Sequence, residues 1–215
     1  KPLFHKYFNI KKKNKIYVGY NLRYDPLLQY LKKIVKNKKF WSVKINCESY
    51  LPSWRNTDYT KTSSAKKNQG GGVLLDLSHE FDYLIWLFGD LNIDFVINNK
   101  ISNLKIETDD NLLLVGNSKK VKQFMIHLNY YSKIEKRTIF AEGKNLCFSA
   151  DLIDKKLSYF NQKSIRKTKS WREKGYLKTF ERQVKDIISG KKIRLPELES
   201  SLKVQRVLSE IQKQR

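Results

Sequence analysis

Cysteine is scarce in this chain of 215 residues: Cys47 and Cys147 are the only two, each in strand-like apolar alternation. That excludes a disulfide framework and makes a reducing compartment, the cytoplasm, the expected setting. No run of about 18 apolar residues occurs, so a conventional membrane-spanning helix is excluded, and no signal-peptide pattern opens the chain. Acidic residues number 21 against 44 lysines and arginines, giving a formal charge of +23 and an isoelectric point near 9.9. Such an imbalance raises nucleic acid as a partner. Yet the cations are spread from Lys11 to Lys213, often beside Asn and Ile, with no helix-turn-helix, zinc-finger or RNP-type motif, so no specific nucleic-acid site is expected. Also missing is a G-x-G-x-x-G turn after a strand, without which a dinucleotide pyrophosphate has no cradle. The only methionine is Met125, and the abrupt opening Lys1-Pro2-Leu3-Phe4 reads as a beginning cut from something longer.

What is present suits one substantial core. Aromatic residues make up 13% of the chain. Ile16-Tyr17-Val18-Gly19-Tyr20 has a short strand's composition. Asp25-Pro26 then reads as cap and first turn of a helix carrying Leu27, Leu28, Leu31, Ile34 and Val35 on one face. Alternation from Phe40 to Leu51 predicts a strand, and a loop follows over about 52–72. An apolar helix is expected over 74–88. Strands are expected over 93–98, 111–115, 121–131, 137–141, 145–150 and 156–160, and helices over 171–189 and 197–212. The pattern predicts an α+β fold: a largely antiparallel open sheet with helices on one face, ending in two helices.

The chemistry concentrates at Gly70-Gly71-Gly72-Val73-Leu74-Leu75-Asp76-Leu77-Ser78-His79-Glu80-Phe81-Asp82-Tyr83. Three glycines allow a sharp turn and a close approach to a ligand. On one helix Asp76, His79 and Tyr83 share a face, and the N-terminal dipole favours an ionised Asp76 and a neutral His79, the form from which a general base starts. The same residues also fit a structural reading, with Asp76 solvating the first turn and His79 satisfied in the core. His79-Glu80 opens like H-E-x-x-H, but position 83 is Tyr and no Cys or His partner is near, so no metal site is expected. Tyr20, Asn21, Arg23, Arg55, Asp58, Tyr59 and Tyr83 offer donors, acceptors and ring faces for a polyol. For Arg23 and Arg55 a plain surface role is the alternative, and for Tyr20 and Trp54 packing.

Lys1-Pro2, the segment Gly19-Tyr20-Asn21-Leu22-Arg23-Tyr24-Asp25-Pro26, Leu51-Pro52-Ser53-Trp54-Arg55 and the stretch from Gly70 to Gly89 together resemble the Gfo/Idh/MocA family of NAD(P)-dependent oxidoreductases. The resemblance covers nearly the whole chain and corresponds to that family's C-terminal substrate domain, preceded by the end of an E-K-P motif. It implies that residues 1–15 are the tail of an absent dinucleotide-binding domain with its linker, and that 16–215 form a substrate-binding, catalytic and oligomerisation domain. It implies NAD or NADP as cofactor, with Lys1 and Pro2 beside it, and Lys1, Asp76 and His79 as catalytic residues acting on a sugar-type hydroxyl. It further implies a homo-oligomer formed through the sheet. One departure stands out: Asp76 and His79 are three apart where the family commonly has four, which makes His79 the firmer assignment. The rival reading is a truncated or split domain that binds sugar or dimerises without catalysing.

Overall fold

In the computed structural model, which describes residues 2, 4, 15–161, 165–173, 175–190 and 193–214, the first helix starts where the Asp25-Pro26 signal predicts. One Asp25 oxygen accepts from Leu27 N at 2.9 Å and Leu28 N at 3.3 Å, and α1 runs Pro26–Ile34 with Leu27, Leu28 and Leu31 buried. The other oxygen takes the buried Lys155 ammonium. Ahead of α1 the expected strand over 16–20 is reduced to a bridge between Tyr17 and Glu197, because the chain turns at once into a 3-10 turn, Asn21–Tyr24.

Eight strands form one sheet: β1 Phe40–Tyr50, β2 Leu91–Asn99, β3 Asn111–Ser118, β4 Val121–Asn129, β5 Tyr131–Glu142, β6 Leu146–Asp151, β7 Lys156–Asn161 and β8 Arg166–Ser170, in the order β2-β3-β4-β1-β5-β6-β7-β8. All pairings are antiparallel except β1 with β4. The predicted strand over 121–131 ends earlier, since the chain steps across the end of β1 at Tyr130, whose carbonyl accepts from Leu51 N at 2.8 Å. The expected fold class holds, with β8, a fully exposed and highly charged strand, added beyond the expected set.

One face of the sheet carries the core. Val43, Ile45 and Cys47 of β1 join Phe124, Ile126 and Leu128 of β4 and Ile139 and Ala141 of β5. Against them pack α1, the short α2 (Val73–Asp76), α3 (His79–Phe88) and α5 (Leu198–Lys213). Phe40 meets Phe88 and Phe148 edge-on, at centroid distances of 5.4 and 6.1 Å. The opposite face leaves Phe95, Ile97, Phe140 and Phe160 exposed. Helix α4 (Leu177–Ser189) is turned inside out: Thr179 is buried against Asn21, while Leu177, Phe180, Val184, Ile187 and Ile188 stand in solvent.

Candidate active site

The glycine turn is shaped by the protein's own packing. Gly70 and Gly72 have φ of 71° and 108°, and a Cβ on Gly72 would lie 2.2 Å from Asp109 Oδ1. A Cβ on Gly71 would lie 2.1 Å from the Ser63 carbonyl oxygen. Asp109 caps α2 through Leu74 N at 3.0 Å. The close approach read from the glycines is therefore to this carboxylate and to the 63–64 backbone.

The single helix expected over 74–88 is broken. α2 ends at Asp76, Leu77 leaves helical geometry with φ −93° and ψ 22°, and α3 begins at His79. Asp76, His79 and Tyr83 consequently do not form one stripe. Asp76 and His79 line an open cavity of about 660 Å³, whereas Tyr83 is fully buried and donates its hydroxyl to Glu80.

Around that cavity stand the end of β1, Trp54, Arg55, the first half of β5 and Tyr176. Asp76 Oδ2 accepts from Tyr130 at 2.6 Å, and the Tyr130 ring lies edge-on to Trp54. Burial and the Asp76 charge push the Tyr130 phenol well up, so it stays a donor. His79 packs edge-on against Tyr20 at 5.7 Å, and burial raises the Tyr20 phenol as well. On the rim, Glu48 lies 3.6 Å from both His127 Nδ1 and Lys136 Nζ.

Beneath the cavity runs a buried ionic network. Arg137 donates through Nε to Glu80 Oε1 at 3.0 Å, again through Nη2 to the same oxygen, and through Nη1 to the Tyr176 hydroxyl at 2.9 Å. Burial, the largest influence, would lower the Arg137 pKa, but Glu80 together with Cys47, Tyr176 and Tyr83 outweighs it and holds the guanidinium charged. Cys47 faces the same network, and burial followed by the Glu80 charge pushes its thiol up, which keeps it from acting as a thiolate nucleophile.

The residues read from sequence are thus partly brought together. Asp76, His79 and Arg55 line the cavity, with Tyr20 buried behind His79. Asn21 is not there, because its amide donates to Thr179 Oγ1 at 2.7 Å in the core. Arg23 is buried in a two-pronged pair with Asp82, at 3.0 and 2.8 Å, and reaches Ser200, beside a separate cavity of about 670 Å³. Asp58 caps an exposed turn at Thr60, and the Tyr59 hydroxyl accepts from Lys105 N at 3.2 Å, so neither reaches the cavity. Tyr83 is held in the core by Glu80. Pro2 is half-buried, and Lys1 lies outside the described residues. Among the described residues no group of three His, Cys, Asp or Glu side chains is placed to hold a metal ion.

Tyr130, Glu80, Arg137 and Tyr176 escaped sequence reading. Arg137 left a trace, since it shares strand parity with the buried Ile139 and Ala141, and a cation on an apolar face implies a buried anion.

Residues 32–135 match the Gfo/Idh/MocA model described as an oxidoreductase family, C-terminal alpha/beta domain. No curated protein matches the chain. Among solved structures, levoglucosan dehydrogenase in complex with NADH is similar with a TM-score of 0.74 at 13% identity, over 91% of this chain and 62% of that one. UDP-N-acetylglucosamine 3-dehydrogenase from Acidithiobacillus ferrooxidans gives 0.69 at 11%, over 91% and 59%. A super-repressor mutant of Gal80p from Saccharomyces cerevisiae gives 0.75 at 12%, over 94% and 63%. The chain spans about three-fifths of the length of these proteins. Joined to the fold they share, the match makes residues 32–135 of this chain similar to the C-terminal α/β domain of the Gfo/Idh/MocA oxidoreductase family.

Proposed function

We propose that this chain is the substrate half of an NAD- or NADP-dependent dehydrogenase that acts on a hydroxyl, or the matching ketone, of a sugar, sugar acid or sugar nucleotide. The observation that carries the reading is the convergence of Asp76 and His79 on one open cavity although the helix between them is broken. His79 takes the hydroxyl proton in the oxidative direction and returns it in the reductive one, with Asp76, steadied by Tyr130, beside it. Arg55 on the rim orients the substrate. Lys1, which the resemblance assigns to the nicotinamide side, keeps that role as part of the proposal.

The chain's own described residues do not fit a dinucleotide. The one glycine-rich turn is filled by the Asp109 carboxylate, whose charge and position exclude a phosphate there. Binding of the cofactor therefore falls to a further domain of the kind to which residues 1–15 would connect, with 16–215 as the substrate and oligomerisation unit in the cytoplasm. The exposed sheet face with Phe95, Ile97, Phe140 and Phe160 suits pairing of two copies. Among the described residues no helix is long and apolar enough to cross a membrane.

A second reading, a sugar-binding or dimerising domain without turnover, draws on that same lack of a dinucleotide cradle and on the Gal80p likeness. The deciding experiment assays the natural gene product with a sugar panel and both nicotinamides. The expected result is turnover that His79→Ala lowers by about 10²- to 10⁴-fold without loss of folding. Equal turnover in the variant overturns the base assignment, and sugar binding without turnover in the natural product favours the second reading.

A further inference from the structure

Tyr176 belongs to no motif in the sequence, yet it stands in the wall of the cavity that holds Asp76 and His79. It is the residue from which α4 departs, and Thr179 N bonds back to its carbonyl at 3.0 Å. Two cations lie near its ring, with Lys155 Nζ 5.0 Å and Arg137 Cζ 5.5 Å from the centroid. Its hydroxyl oxygen accepts from Arg137 Nη1 at 2.9 Å, and the remaining guanidinium bonds of Arg137 go to Glu80.

A phenol that accepts one bond keeps its own proton to give. Among the described residues no hydrogen bond from that proton is found, and Tyr176 lines the cavity. Burial, only partly opposed by Arg137, raises the phenol above its ordinary range, so the proton is retained at neutral pH. Accepting from a charged donor also polarises the O–H bond and makes it a better donor in turn. A phenol that only braced the wall would need no such arrangement, because its ring contacts alone would hold it.

We propose that Tyr176 is a substrate-binding residue, its hydroxyl donating to a hydroxyl or carbonyl oxygen of the sugar held over Asp76 and His79, with Arg137 and Glu80 as the pair that positions it. The proposal rests on the sugar reading above. It adds a specific demand: the ligand presents an acceptor oxygen to the wall formed by β5 and the start of α4.

The test is a calorimetric titration of wild-type chain and Tyr176→Phe with D-glucose, D-galactose, D-glucuronate, myo-inositol and UDP-glucose, each beside its monodeoxy analogues. Phe keeps the ring beside Arg137 and Lys155, and a urea midpoint checks that the variant folds. The expected result is one hydroxyl whose deletion weakens wild-type binding about five- to tenfold and weakens Tyr176→Phe no further, a coupling that a bracing role cannot produce. If every deletion has the same effect in both proteins, Tyr176 touches no sugar oxygen and the proposal falls while the sugar reading stands. If no compound of the set binds wild type, the sugar reading falls and takes this proposal with it.

Discussion

Tyr130 donates its phenolic proton to Asp76 across 2.6 Å, joining the short turn between β4 and β5 to the end of α2. The same residue fixes its backbone on both sides, its N–H donating to the Asp110 carbonyl at 3.0 Å and its carbonyl accepting from Leu51 N. Asp76 thus owes its orientation to a residue 54 positions away in the chain. Removing the hydroxyl in Tyr130→Phe should lower stability by about 1–2 kcal/mol, the range for a hydrogen bond to a charged group that water can partly replace. Urea unfolding measures this, and an unchanged midpoint would show that the bond contributes nothing.

Glu80 and Arg137 present a sharper case, because Glu80 is fully buried and Arg137 has a side-chain exposure of only 13%. Arg137→Met leaves the carboxylate uncompensated and should destabilise by about 3–5 kcal/mol. Adding Glu80→Gln to Arg137→Met removes the stranded charge and should recover most of that loss. A double variant no more stable than Arg137→Met, measured by urea unfolding, would mean that the lost stability came from packing.

Lys32 supplies a pH dependence. Its ammonium donates to the Trp86 carbonyl, yet burial, then Lys120 and Arg23, lower its pKa from 10.5 to about 8. In that interval the unfolded chain holds a proton that the folded chain has released, so stability rises with pH from about 8 towards 10.5. Below the lower value both states carry the charge and the full desolvation penalty applies. Cys47, whose thiol burial pushes up from its ordinary value of 9.0, opposes this rise from about pH 9, where the unfolded thiol ionises, and the buried tyrosines oppose it above about pH 10. Lys32→Met should therefore flatten the rise in urea midpoint between about pH 7.5 and 9, below the ionisation of the unfolded Cys47 thiol, and a wild-type slope retained in the variant would assign it to other groups.

Local chemistry made much of the fold legible. The Asp25-Pro26 signal set the start of α1, and alternation over 40–51 marked β1 almost to its ends. Strand β8 was hidden because Arg166, Lys167 and Lys169 are exposed and carry no apolar alternation. The direction of α4 was equally unreadable, since the spacing of Leu177, Phe180, Val184 and Ile187 defines a stripe without saying which side meets the body. At the site, Asp76, His79 and Arg55 were readable as residue types that do polyol chemistry. Asn21, Arg23 and Tyr83 are the same types used as internal ties, and only their partners, Thr179 and Asp82 far away in sequence and Glu80 one turn earlier on the same helix, distinguish the two uses.

The position of β1 between β4 and β5 also has a temporal side. Two strands separated in sequence by Tyr130 alone cannot pair as a hairpin, because a third strand from far upstream occupies the gap. Closing the sheet's centre requires roughly 70 residues between Tyr50 and Val121 to be looped out first, an entropic barrier that local contacts do not lower. Refolding of this chain is therefore expected in the slow range of milliseconds to seconds, governed by one non-local event at the middle of the sheet.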